Sequence, residues 1–307
     1  MPNTPLARYR YFFMVSKLGS VRAASEVLDV EPSAISRQIA RLAADLGVRL
    51  IESDGRGISI TPAGQIVARR ALQIIEAMEQ ARADLDDLVG LRRGHVRVQT
   101  VEGNLNGLVL PAIAAFRQQW PAITCDLRVK SSDRIIAALL SGETDIGVAF
   151  NCPEHSDLHA VAVVSDSIYA VAHPGFDGFR RRARISLAEV ARLPIALPDE
   201  TFGLRHMIDH AAKLAGVLLA PVMITDSIDA LRGFARTGIG VALLPRLAVA
   251  NDLRSRAVKA IPIADDSLRA ASSKVLVNSS RSLSGASRRM AESLTEIAKT
   301  FPRSGPL

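Results

Sequence analysis

Residues 20–46 of this 307-residue chain read SVRAASEVLDVEPSAISRQIARLAADL, and their spacing predicts two short helices around a tight turn. Val21, Ala24 and Leu28 recur at i, i+3 and i+7, and Ile35, Ile39, Leu42 and Leu46 recur at i, i+4, i+7 and i+11. Each series is one face of a 3.6-residue helix, so the two stripes can form the core of a helix pair. The turn falls at Asp29-Val30-Glu31, and Pro32 opens the second helix where its missing N–H costs nothing. Ser33, Arg37, Ala40 and Ala44 point away from the second stripe, with Ser36 on the flank. Small residues let a helix approach a groove closely, while serine and arginine donate to base edges and phosphates. Base contacts concentrate in the N-terminal part of a recognition helix, which makes Pro32, Ser33, Ser36 and Arg37 the candidate DNA-contacting residues. An ordinary helical hairpin satisfies the same spacing, so the neighbouring sequence has to decide.

Upstream, Tyr9, Phe12, Phe13 and Leu18 sit at helical spacing and predict a covering helix. Downstream, extended character resumes at Gly47–Ile51, Gly55-Arg56-Gly57 makes a turn, and Ile58-Ser59-Ile60 follows. Two short strands around such a turn make a wing whose tip residue, Arg56, can reach a phosphate or simply be solvated. Thr61-Pro62 then starts a long helix, a threonine cap followed by proline at the first position. Along it Val67, Ala71, Ile74, Met78, Ala81, Leu85 and Leu88 are spaced 4-3-4-3-4-3, a heptad seam with charged residues kept off it. So narrow a seam suits a partner helix, and a homodimer is expected; packing against this chain's own second domain is the competing reading.

Composition bounds the rest. With 48% hydrophobic and 22% charged residues the chain reads as globular, its apolar runs are too short for a membrane span, and no export signal opens it. Cys125 and Cys152 cannot build a disulfide framework, and a cytoplasmic protein fits. The net charge of +7 allows a polyanionic partner without requiring one. Residues 1–61 hold 8 basic and 6 acidic groups, so the excess is not concentrated in the helix pair.

Composition shifts at Leu91-Arg92-Arg93-Gly94, and beyond it strands and helices alternate. Strands are expected around Val96–Thr100, Thr124–Val129, Asp145–Phe150, Ile168–Ala172, Pro194–Leu197, Pro221–Ile224, Ile239–Leu244 and Lys274–Asn278. Helices are expected between them and at Ser284–Thr300. Such βα alternation predicts parallel sheets in two lobes, with ligands bound where strand ends meet helix starts.

In this order the pieces resemble the LysR-type transcriptional regulators over nearly the whole chain. The resemblance is carried by Ala23-Ala24, PSAISRQIARLAADLGVRLIE, the Gly-Arg-Gly wing, TPAG, GETDIGVAF and DSIDALRGFARTGIGVALLP. It implies an α/β protein with an all-α winged helix-turn-helix DNA-binding domain at 1–61, a dimerising linker helix at 62–92 and an effector domain at 93–307. The effector domain is expected to resemble a two-lobed periplasmic binding protein, with lobe I at about 93–164 and 270–300 and lobe II at about 165–269. It also implies sequence-specific binding to double-stranded promoter DNA, a homodimer that associates into a homotetramer, a small-molecule effector, and RNA polymerase as a candidate contact. No catalytic residue, cofactor or metal is implied. One departure stands out: Glu31 replaces the serine or threonine that caps the recognition helix in many members, and a glutamate is both a poorer cap and repelled by phosphate.

By the same resemblance the effector lies between the lobes. Thr100, Val101, Glu102, Ser131, Ser132, Phe150 and Asn151 would line the first-lobe side, and Thr201, Phe202, Thr225, Asp226 and Ser227 the second. Hydroxyls at helix starts, with free N–H groups, suit a carboxylate, although Ser132 and Ser227 serve equally well as plain caps. Glu102 would favour an amine or hydroxyl, so an organic acid and an amine-bearing metabolite both remain open. Arg205 can add charge to the site or sit on the helix surface. An enzyme reading would rest on His206 and His210 at i, i+4, yet no HExxH, GxSxG, P-loop or GxGxxG context accompanies them. A solute-binding protein is disfavoured by the N-terminal helix pair.

Overall fold

The helix pair forms because both of its ends are anchored locally. Helix α1 (Pro5–Leu18) leads into α2 (Val21–Leu28), whose first turn is capped by Ser20 accepting the Ala23 N–H at 3.3 Å. Asp29 closes α2 in the left-handed region (φ 51°), its N–H bonded to Ser25 O, and the chain turns into α3 (Pro32–Leu46). Ala24, Ile35, Ile39 and Leu42 are buried with Tyr11, Phe12 and Val15 of α1, while Val21 and Leu28 pack at the edge of the same cluster. Leu46 departs from the stripe: it is 40% exposed, since α3 is ending there at Gly47.

Strands β1 (Ile51–Ser53) and β2 (Ile58–Ile60) pair antiparallel as the wing. Helix α4 (Pro62–Leu88) starts at Thr61, whose hydroxyl donates to Arg49 O at 2.7 Å and accepts the Gly64 N–H at 2.9 Å. Gly64 has to be glycine: a Cβ there would lie 2.2 Å from Leu50 O, so α4 rests directly on the backbone leading to the wing.

The computed structural model describes residues 5–53, 58–88, 94–179 and 183–301, and Arg56 lies outside them. The chain divides into two units, residues 1–90 and 91–307. Among the described residues no helix is long and apolar enough to cross a membrane.

The second unit holds two five-stranded sheets. One has the order β4-β3-β5-β12-β6, from β3 (Gly94–Thr100), β4 (Ile123–Val129), β5 (Ile146–Phe150), β6 (Leu158–Ser165) and β12 (Ser272–Asn278). The other has the order β11-β7-β10-β8-β9, from β7 (Ile168–Ala172), β8 (Ile195–Pro198), β9 (Met223–Thr225), β10 (Val241–Pro245) and β11 (Lys259–Pro262). Strands β5, β7 and β10 are buried along their whole length, as strands covered on both faces are. The expectation of wholly parallel sheets is corrected. β3 runs parallel to β4 and β5, and β8 parallel to β9 and β10, but β12 is antiparallel to β5 and β6, and β7 is antiparallel to β10 and β11. The cause is the double crossing. The chain leaves the first lobe between β6 and β7 and returns between β11 and β12, so the returning strand enters the first sheet against its direction.

The two crossings lie side by side. Asp166 N–H donates to Ala271 O at 2.9 Å and Ser167 Oγ to Arg269 O at 2.8 Å. After β3 the chain makes a short turn at Glu102–Asn104 and a wide one at Leu105–Val109, where the Leu110 N–H reaches back five residues to Leu105 O, before the regular helix Leu110–Gln119. Such a widening often marks a functional site. It brings Gly107 onto Leu247, where a Cβ would lie 2.4 Å from the leucine carbonyl oxygen.

Glu31 makes no side-chain bond to the start of α3. Replacing it with serine is therefore expected to raise the stability of the N-terminal unit by about 0.5–1 kcal/mol. Thermal melts of wild type and Glu31→Ser compare them, and an unchanged or lower midpoint would show that the cap position is already satisfied.

Candidate functional site

The surface of α3 opposite its core is polar and uncovered. Pro32, Ser33, Ser36, Arg37, Ala40 and Ala44 are all exposed, while Ile35, Ile39 and Leu42 fill the other side. Arg41, one turn beyond Arg37, is exposed too and adds a second guanidinium to that face. The i, i+4 spacing to Arg37 was the signal that could have found it. Arg8 pairs with Asp45, and Arg22 with Glu26 at 3.8 Å, so neither of these charges is as free as Arg37.

Along α4 the seven seam positions do not behave alike. Val67 packs on the core of the helix pair and Ala71 is fully buried, because α1 lies along the first half of α4. The seam left uncovered within the chain therefore starts at Ile74 (38% exposed) and continues through Met78 (44%) to the exposed Ala81. Leu85 and Leu88 lie on the helix, but their side chains are outside the described ones.

Between the two lobes lies a cavity of about 290 Å³. Of the residues expected there, Val101, Glu102, Ser131, Ser132, Phe150, Thr201, Phe202 and Asp226 line it. Thr100, Asn151, Thr225 and Ser227 do not. Thr100 is fully buried with its hydroxyl donating to Val101 O at 3.1 Å, and Asn151 takes a left-handed turn (φ 44°) at the end of β5. Thr225 Oγ1 accepts the Ser227 N–H at 3.2 Å. Asn104 and Lys130 complete the polar lining and were missed from sequence; each lies within two residues of a position that was named.

The hydroxyls are less available than their residue types suggest. Ser132 Oγ donates to Phe150 O at 3.0 Å and accepts the Phe150 N–H at 3.2 Å, tying the helix Ser132–Ser141 to the end of β5. Thr201 donates both its N–H and its hydroxyl to Asp199 Oδ1, at 2.9 and 2.6 Å, which holds that carboxyl below its ordinary range. Ser131 is the hydroxyl with no partner among the described residues. What the cavity does offer is backbone: Ser131 and Ser132 at one helix start and Gly203 and Leu204 at another, one helix from each lobe. First-turn N–H groups lack intrahelical acceptors and attract anions.

Glu102 is spoken for. Its Oε1 accepts the Asp229 N–H at 3.0 Å and the Ser227 hydroxyl at 3.3 Å, so a first-lobe carboxylate sits on the N-terminus of the second-lobe helix Ile228–Thr237. Those donors and the positive end of the helix offset part of the repulsion that this carboxylate exerts on an acidic ligand. Arg205 pairs with Asp209 at 2.8 Å and donates to Pro198 O at 2.9 Å, so it braces its own helix.

Burial pushes the Cys125 thiol up to about 11, with Asp126 and Asp145 adding to the effect, and raises the Cys152 thiol as well. Both are poor nucleophiles at neutral pH. His206 and His210 are exposed, and no cluster of three metal-ligating side chains occurs among the described residues.

Comparison with known proteins agrees with both halves of this layout. Residues 6–65 match the family described as bacterial regulatory helix-turn-helix protein, lysR family, and residues 90–299 match the LysR substrate binding domain. The transcriptional dual regulator GltC of Bacillus subtilis (strain 168) is 31% identical over 264 residues, covering 84% of this chain and 86% of its own. The nitrogen assimilation regulatory protein nac of Escherichia coli (strain K12) is 26% identical over 245 residues, 78% of each chain. Among solved structures, a full-length OxyR variant from Pseudomonas aeruginosa superposes with a TM-score of 0.68 at 17% identity over 99% of both chains. Full-length CbnR in complex with its target DNA gives 0.57 at 20% identity over 96% of this chain and 100% of that one. At these identities the structures bear on fold alone. The chain belongs to the LysR-type transcriptional regulators, with a helix-turn-helix DNA-binding domain followed by an α/β substrate-binding domain, and it is not an enzyme.

Proposed function

We propose that this regulator reads double-stranded operator DNA with the exposed face of α3, as a homodimer joined along α4, under control of a small carboxylate-bearing effector held between the lobes. In this reading residues 1–61 contact DNA, 62–92 pair, and 93–307 sense the ligand. Ser33, Ser36, Arg37 and Arg41 address base edges and phosphates, with Pro32 at the groove entrance. The observation that carries the DNA half is the division of α3 into a fully buried apolar side and an exposed Ser/Arg side. The test is selection of binding sites from a random duplex library by the full chain. A two-fold-symmetric consensus with half-sites about one helical turn apart, or a multiple of it, is expected. Recovery of no consensus would sink the proposal.

Pairing rests on Ile74 and Met78, apolar side chains left exposed on the heptad spacing. The double substitution Ile74→Glu, Met78→Glu is expected to turn a dimer or tetramer into a monomer by light scattering, with α1 to α3 intact by circular dichroism. An unchanged mass would place the interface elsewhere. Higher association, contact with RNA polymerase and action in the cytoplasm follow from the same reading.

For the effector, the supporting observation is the pair of helix starts, one per lobe, converging on one cavity with Lys130 at its edge. An anion bridging them would bind the closed arrangement of the lobes better than an open one, and only such a difference in affinity can drive a switch.

A further inference from the structure

The floor of the cavity holds a polar chain in which one proton must choose between two acceptors. Asn104, 1% exposed, lines the cavity, and its Oδ1 lies 2.8 Å from Ser273 Oγ. The same Ser273 oxygen lies 2.9 Å from Oδ2 of Asp166, a fully buried residue on the crossing from β6 to β7. Asp166 Oδ1 accepts the Leu247 N–H at 2.8 Å. The remaining polar atom, Asn104 Nδ2, is buried with no partner among the described residues.

A serine hydroxyl has a single proton, so Ser273 cannot donate to Asn104 and Asp166 together. With Asp166 protonated the chain is consistent: Asp166 donates to Ser273, Ser273 donates to Asn104 Oδ1, and Nδ2 is left as an unpaired donor on a residue that lines the cavity. With Asp166 ionised, Ser273 must donate to the carboxylate. Asn104 Oδ1 would then meet a lone pair at hydrogen-bond distance, which the amide relieves by turning over. Nδ2 now donates to Ser273, and the amide oxygen takes the unpaired position.

We infer that Asn104 is the ligand-facing amide of the effector cavity, and that the proton on Asp166 decides whether it offers a donor or an acceptor. The inference rests on the reading of this cavity as the effector site. The ligand class that fits the protonated form presents a carboxylate or carbonyl oxygen to Asn104 Nδ2. Both forms are accessible near neutral pH, because desolvation pushes the Asp166 carboxyl up to about 7 against the opposing effect of its hydrogen bonds and of Arg246. Arg246 follows β10 and acts on Asp166 directly; Lys274, next to Ser273 on β12, donates to Cys152 O at 3.5 Å; Glu102 is held at Ser227 and Asp229. Asp166 N–H also bonds across to Ala271 O, so the proton sits where the two lobes are joined.

The test uses the full chain with labelled Asp carboxyl carbons and Asn side-chain nitrogens, assigned through Asp166→Asn and Asn104→Asp. The Asp166 carboxyl signal is expected to titrate near neutral pH and the Asn104 NH2 signal to shift with the same midpoint. In Asp166→Asn, whose amide donates to Ser273 as the protonated acid does, the Asn104 signal should not move with pH. Ser273→Ala should uncouple the pair and serves as a second variant. Acetate and succinate are the carboxylate probes. If only the protonated form binds them, the apparent Kd weakens about tenfold between pH 6 and pH 8 in wild type and stays constant in Asp166→Asn. An Asn104 signal that ignores the Asp166 titration overturns the inference. So does probe binding that is equally strong at both pH values in wild type, an outcome that leaves the cavity standing as the effector site. Failure of both probes to bind at pH 6 overturns the carboxylate reading of the cavity and the inference with it.

Discussion

Replacing Arg37 with alanine is expected to weaken binding to the selected operator about 10- to 100-fold, the value of one good bidentate contact to a base edge. Arg37 lies in the second turn of α3, exposed, on the side opposite Ile35, Ile39 and Leu42. Among the described residues no hydrogen bond or ion pair competes for its guanidinium. Loss of an exposed side chain with no such partner leaves the fold within about 0.5 kcal/mol of wild type, so the effect belongs to the interface. The form of the loss separates two roles. A base-reading arginine relaxes sequence preference at one position, whereas a phosphate-binding one weakens all sequences alike and lowers the salt slope by about one. Fluorescence anisotropy on operator and scrambled duplexes, at two salt concentrations, measures both. Operator affinity and preference that survive Arg37→Ala unchanged would remove α3's exposed face from the interface.

The helix pair was legible because everything that shapes it is local. Ser20, the turn at Asp29, Pro32 and the two apolar stripes lie within 27 residues, and caps and periodicity act over that range. The α/β domain was legible as elements but not as pairings. The sequence does not show β6 and β11, half-buried edge strands whose apolar and polar residues follow no clean alternation. It also could not show that β12 returns against β5, because that is decided by where the chain crosses between lobes. The cavity shows the same limit at the level of atoms. Ser132, Thr201 and Glu102 were named by residue type and do line it, yet their bonds to Phe150, Asp199 and Asp229 come from partners up to 127 residues away. Asn104 lies only two residues from Glu102, but its importance depends on Ser273 and Asp166, brought to it by the double crossing. Side-chain chemistry can be read from a chain in order; which lone pairs are already taken cannot.

Asp166→Asn is the substitution with the largest expected effect on stability, and its sign depends on pH. Burial raises the native carboxyl from the ordinary 3.8 to about 7, whereas the unfolded chain keeps the ordinary value. Between those values the native state binds the proton and the unfolded state does not, so stability falls as pH rises. The contribution is fully present below about pH 4, declines through the interval, and is gone above pH 7. Its total is on the order of 4 kcal/mol. Asparagine can accept the Leu247 N–H and donate to Ser273 in the same geometry without ever ionising, so it escapes this loss. Both proteins should therefore melt at similar temperatures at pH 4.5, while at pH 8 the variant should melt higher, by roughly 10 °C if the substrate-binding domain unfolds as one unit. Other groups titrate in both proteins and cancel in the difference between them. Calorimetric scans across pH 4.5–8 measure that difference directly. If it stays flat, Asp166 keeps an ordinary carboxyl in the folded protein, and the proton needed to set the polarity of Asn104 is not there.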